Sequence, residues 1–145
     1  MSSTYIADLI PEMQDKVQRF LSLVKVEYVV TSTLRTLDEQ IALFAQGRAS
    51  LTIVNLLRRK AGLADIGNTD NSYTVTNCDG ITNKSKHQEG KAIDVVPAGA
   101  NGEPTWPSDK DPRWERIALC GEAVGLEWGG RWSQKDLPHY QQKEA

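Results

Sequence analysis

The run Ser85-Lys86-His87-Gln88-Glu89-Gly90-Lys91-Ala92-Ile93-Asp94 constrains this chain more than any other feature. Its second half, Lys91 to Val96, is rich in β-branched residues and reads as a strand that Pro97 stops. Asp94 therefore falls as a lone carboxylate on a strand of otherwise apolar residues. Ala92, Asp94 and Val96 share one face and Ile93 and Val95 the other. A buried carboxylate needs a charge partner, and a metal ion is one candidate for that role. The chain has only two histidines. His87 lies seven residues before Asp94, and His139 lies in a second cluster, Asp136-Leu137-Pro138-His139. Two imidazoles and a carboxylate suffice to hold a catalytic zinc with one position left for water. Hydrolysis is the first chemistry this suggests.

The rest of the chain reads as alternating helices and short strands. Met13, Val17, Phe20, Leu21 and Val24 recur at helical spacing after Pro11, a residue suited to a first turn. Glu27 to Ser32 reads as a strand that delivers Arg35 at its end. Thr36-Leu37-Asp38-Glu39 is a capping-box pattern, and the helix it opens stops near Gly47. A further helix is predicted from Leu51 to Lys60, ended by Gly62. Ala64 to Lys84 is polar and turn-rich, with one strand-like piece at Tyr73 to Thr76. A connection this long is usually functional, and it leads into the first cluster. Asp111-Pro112 opens another helix with inner face Trp114, Ile117, Ala118, Gly121 and Val124. A short strand at Leu126 to Trp128 follows, and Gly129-Gly130 then turns the chain toward Trp132. Trp106, Trp114 and Trp128 read as packing aromatics, and Gln141 to Ala145 as a frayed tail.

At 145 residues the chain reads as one domain spanning 1–145. The net charge of -2 gives no reason to expect nucleic-acid binding. No apolar run is long enough to insert in a membrane. Met1 to Gln14 lacks the pattern of a signal peptide, so the expected location is the cytoplasm where the chain is made, until release to its substrate. Two cysteines, Cys78 and Cys120, are too few for a disulfide framework and read as free thiols, with Cys120 buried.

The pattern SxHxxGxAxD followed by a distant DxxH resembles that of the zinc D,D- and L,D-peptidases related to the vancomycin-resistance carboxypeptidases, the M15-like peptidases. Ser85, His87, Gly90, Ala92, Asp94, Asp136 and His139 carry the match. Arg35-Thr36 with Glu39-Gln40, Ala45 to Arg48, and Glu127-Trp128-Gly129-Gly130-Arg131-Trp132 resemble further family segments. The nearest branch by these features is the bacteriophage endolysins that cleave the L-alanyl-D-glutamate bond of peptidoglycan stem peptides.

The resemblance implies an α+β fold of the Hedgehog/D,D-peptidase type, a small antiparallel sheet flanked by helices. It implies Zn2+ held by His87, Asp94 and His139, with Asp136 as general base and Arg35 on the scissile carbonyl. Ser85 would contact substrate, and Gln40 and Trp132 are further candidates for doing so. The implied partner is the peptidoglycan stem peptide, met by a monomer. Alternatives remain: a D-Ala-D-Ala carboxypeptidase or dipeptidase, or a non-catalytic zinc-bearing wall-binding or virion domain. At single positions, Asp94 could pair with Lys91, Arg35 with Glu39, and Glu127 is a rival base.

Overall fold

The computed structural model describes residues 3–144. It is an α+β domain built on a four-stranded antiparallel sheet. The strands are β1 (Tyr28–Ser32), β2 (Ala92–Pro97), β3 (Leu126–Trp128) and β4 (His139–Gln142), in spatial order β1-β2-β4-β3. The helices are α1 (Pro11–Leu23), α2 (Leu37–Ala45), α3 (Leu51–Lys60) and α4 (Pro112–Ala123). Each starts as its sequence dictates. Pro11 and Pro112 occupy the first turns of α1 and α4, where a missing N–H costs nothing. Asp111 caps α4 by accepting from the Arg113 N–H. The capping box of α2 is complete, with Thr36 Oγ1 accepting from the Glu39 N–H at 3.1 Å and the Glu39 carboxylate from the Thr36 N–H at 3.2 Å.

The apolar faces of α1 and α4 close over the sheet. Met13, Val17 and Phe20 from α1 meet Trp114, Ile117 and Ala118 from α4, and Ile93, Val95, Leu126 and Tyr140 from the strands. Burying side chains of this size contributes about 1.5–3 kcal/mol each, before the entropy of ordering them is subtracted. Trp114 and Trp128 lie in this core as expected. Trp106 does not; it is 64% exposed, because Ala98 to Asp109 runs outside the sheet as a loop.

Three further expectations need correction. Tyr73 to Thr76 forms no strand. The corner between α2 and α3 holds it instead: Arg48 Nη1 donates to the Thr76 carbonyl, and Gln46 Nε2 donates to the Asp70 carbonyl of the turn just before it. That corner turns at Gly47, whose φ is +81°, and the Tyr73 and Thr74 backbone lies 2.6–2.7 Å from where a Cβ would stand. Only glycine fits both constraints. Gln141 and Gln142 are not a frayed tail but the end of β4, which pairs with β2 on one side and β3 on the other. Ala145 lies outside the described residues. Cys120 is half-buried rather than buried, and both cysteines are free thiols.

Candidate metal centre and cleft

The sheet places two of the candidate ligands opposite each other. Asp94 on β2 and His139 on β4 are direct cross-strand partners. The pairing of β1 with β2 slips between Val30 and Ser32, so that Ser32 rather than Thr31 faces Asp94. Such a bulge re-aims the chain locally. It sends Thr33 and Arg35 toward the turn that carries His87. There the Arg35 N–H donates to the His87 carbonyl at 3.1 Å. The Asp136 loop is held by backbone as well, its N–H donating to the Gly129 carbonyl at 2.9 Å. Gly129 leaves the space for this, since a Cβ there would stand 2.5 Å from the Asp136 carbonyl oxygen. The Trp-Gly-Gly segment thus lets the chain double back and present Asp136 beside His139.

His87 Nε2 lies 3.2 Å from Asp94 Oδ1, and His139 Nδ1 lies 3.5 Å from the same oxygen. The three ligand atoms all fall within 4.8 Å of one another. The outer ring nitrogens decide what these distances mean. His87 Nδ1 is 2.7 Å from the Thr33 carbonyl, which can only accept, so Nδ1 carries a proton. His139 Nε2 faces Gln141 Oε1 at 2.8 Å in the same way. In the neutral imidazoles, the inner nitrogens then turn lone pairs toward a carboxylate oxygen. That arrangement is repulsive unless a positive charge lies between, either a ring proton or a metal ion. Two N or O ligands of a tetrahedral zinc stand about 3.3–3.5 Å apart, and both nitrogen–Asp94 distances are close to that. The Thr33 and Gln141 contacts are of the kind that orient metal-bound imidazoles.

Around this set lies a cleft of about 810 Å³, lined by Arg35, Ser85, His87, Trp132, Asp136 and His139 among others. Arg35 Nη2 is 3.6 Å from Asp94 Oδ2. Burial works to raise the pKa of Asp94, but His87, His139 and Arg35 outweigh it and hold the carboxyl well below the usual range. Asp136 Oδ2 is 3.9 Å from His139 Nδ1. Its pKa is raised, first by burial and then by the Asp94 charge. Half of its side chain still faces solvent, so water reaches the carboxylate. A bound cation would act on Asp136 in the opposite sense. His139 is raised overall, because Asp94 and Asp136 overcome the effect of burial.

Asp94 faces the histidines and Arg35 rather than Lys91, and Glu39 is engaged in its capping box. Glu127 accepts from Trp132 Nε1 at 2.9 Å and does not line the cleft. Trp132 in turn packs its ring 5.3 Å from that of His139 and forms one wall. Ser85 lines the cleft, but its hydroxyl donates to Gln40 Oε1 at 3.0 Å. Gln40 is fully buried behind that wall. The residues missed by sequence reasoning are Thr33 and Gln141. The first acts through a backbone carbonyl, which no residue type signals, and the second was assigned to the tail.

An α+β sheet whose adjacent strands and turn converge two imidazoles and a carboxylate at an open cleft, with a second carboxylate and an arginine alongside, defines a candidate mononuclear metal hydrolase site. Residues 79–142, which hold all three candidate ligands and Asp136, match the family described as D-alanyl-D-alanine carboxypeptidase. The matched stretch covers less than half of the chain and contains His87, Asp94, Asp136 and His139, the residues that carry the sequence resemblance. The chain is also similar in structure to the L-Ala D-Glu endopeptidase ChiX of Serratia marcescens. The TM-score is 0.59 at 21% identity, over 99% of this chain and 90% of that one, a likeness that shows the shared fold. No curated protein matches.

Proposed function

We propose that this chain is a zinc-dependent peptidoglycan peptidase of the phage endolysin type that hydrolyses the stem peptide between L-Ala and D-Glu. The observation that carries this reading is the convergence of His87, Asp94 and His139 beside the open cleft that both histidines, Asp136 and Arg35 line. Held by His87, Asp94 and His139, zinc would polarise the scissile carbonyl and acidify water at neutral pH. Asp136 accepts the proton of the attacking water and passes it to the leaving amine as the C–N bond breaks. Arg35, permanently charged, donates to the carbonyl oxygen and to the negative charge that develops there. Trp132 and the Ser85 segment wall the cleft and orient the peptide.

Digestion of purified peptidoglycan by the zinc-loaded protein, with and without chelator, tests the reading by mass spectrometry of the fragments. Chelator-sensitive release at the L-Ala–D-Glu bond is expected. The matched family's description favours a second reading, D-Ala-D-Ala carboxypeptidase, which loss of terminal D-Ala alone would establish. The Asp136→Ala variant should keep stoichiometric zinc and lose about 10²–10⁴-fold in kcat. Undiminished turnover by that variant would remove Asp136 from the mechanism.

A further inference from the structure

Gln40 was a candidate for touching substrate, yet none of its surface is exposed. Its amide is instead satisfied at all four positions. Oε1 accepts from Arg35 Nη1 at 3.3 Å and from Ser85 Oγ at 3.0 Å. Nε2 donates to Thr76 Oγ1 at 3.2 Å and to the Cys78 carbonyl at 2.9 Å. A primary amide has two acceptor lone pairs and two donor hydrogens, so none is left over. The two halves face different partners: the oxygen holds two residues of the cleft floor, and the nitrogen holds the long segment that leads into it. Packing repeats the arrangement. Gly80, with φ at +90°, leaves the Gln40 stem 3.1 Å from where its Cβ would be, so the 76–80 segment wraps directly on this side chain. Thr76 and Cys78 themselves line the cleft.

We infer that Gln40 is a positioning residue that couples the 76–80 wall of the cleft to the orientation of Arg35. The inference deepens the proposed function, since Arg35 is the group assigned there to the scissile carbonyl. Arg35 has few other restraints: its remaining side-chain partner is Asp94 at 3.6 Å, and its buried Nε has none. Without Gln40 the guanidinium has one anchor and a freer range of positions. A misplacement of about 1 Å at a group that acts on the transition state costs up to about 100-fold in rate.

Two substitutions separate the two halves of the amide. Gln40→Met keeps the volume and loses all four bonds. Gln40→Glu keeps an acceptor for Arg35 and Ser85, but offers no donor to the Cys78 carbonyl. Zinc-loaded wild type and both variants would be compared by ¹⁵N NMR of the Arg35 Nε–H and by hydrogen exchange at Cys78 and Gly80. Thermal unfolding and zinc content would be recorded alongside. The Arg35 signal should be sharp in wild type and Gln40→Glu and averaged in Gln40→Met. Exchange at Cys78 and Gly80 should accelerate in both variants. On the stem peptide, kcat should fall about 10–100-fold in Gln40→Met with KM and zinc content little changed. An unaltered Arg35 signal in folded Gln40→Met would overturn the inference. If that variant does not fold, unchanged exchange at Cys78 and Gly80 in Gln40→Glu would do so. The NMR and exchange readings need no substrate, so inactivity of the wild type on peptidoglycan would count against the proposed function alone.

Discussion

His87 presents Nε2 to the cleft because the Thr33 carbonyl holds the proton on Nδ1, and His139 presents Nδ1 because Gln141 faces Nε2. At this scale the candidate ligands were legible from the sequence and the groups that orient them were not. Two histidines in 145 residues, one seven residues before Asp94 and the other three after Asp136, leave few alternatives. A carbonyl oxygen has no residue type, and a glutamine near a chain end carries no signal until the sheet places it. The support itself has a measurable consequence. Replacing Gln141 by leucine keeps the backbone pairing of β4 and removes the acceptor that orients His139. Zinc affinity should fall about 10–100-fold, the usual cost of losing such a partner. Competition with a chromophoric chelator would measure it. Equal affinity would show that the Trp132 stack and the pairing with Asp94 suffice to orient the ring.

Helices and strands with strong periodicity or caps were read within a residue or two, because α1, α2 and α4 bury one face and start on recognisable residues. β4 escaped for a physical reason. It is a four-residue inner strand with polar residues at three positions, His139, Gln141 and Gln142, and its stability comes from neighbours on both sides rather than from its own pattern. The 64–84 segment read as functional from its length, and it lines the cleft at Thr74 to Cys78 and at Lys84, but Tyr73 to Thr76 was misread as a strand because side chains of α2 and its corner satisfy it, which only tertiary structure reveals. One turn of this segment is self-contained. The Asp79 carboxylate accepts from the Thr82 hydroxyl and from the N–H groups of Ile81, Thr82 and Asn83, each N–H at 2.9 Å. These bonds, the Thr82 hydroxyl first among them, hold its pKa down to about 2 from an ordinary 3.8. A depressed carboxylate stabilises the fold above its unfolded pKa. That contribution should begin to fade below pH 3.8 and be gone once pH falls through about 2. A carbon-detected NMR titration of the Asp79 carboxyl should therefore find a midpoint near 2. A midpoint at the ordinary value would mean the turn does not hold its bonds in solution.

The whole molecule brings its metal-competent atoms from three separate places: the turn at His87, the middle of β2 and the start of β4. They converge only when the sheet has formed and the turn has docked on the strand end through Thr33 and Arg35. An unfolded chain offers zinc no comparable site, so the zinc binding proposed above would be thermodynamically linked to folding. The direction follows from mass action. A ligand that binds only the native state stabilises it by RT ln(1 + [L]/Kd), about 2.7 kcal/mol at a hundredfold excess over Kd. For a domain of this length each kcal/mol moves Tm by about 2–6 °C. Calorimetry with saturating zinc should therefore place the unfolding transition roughly 5–15 °C above that of chelator-treated protein. Part of the increment would have a local origin, because a cation held by His87, Asp94 and His139 would offset the repulsion between ring nitrogens and carboxylate oxygen at 3.2 and 3.5 Å. The Asp94→Ala variant lacks the ligand shared by both contacts and should show little of this zinc-dependent shift. An equal shift in that variant would mean that zinc binds elsewhere on the protein.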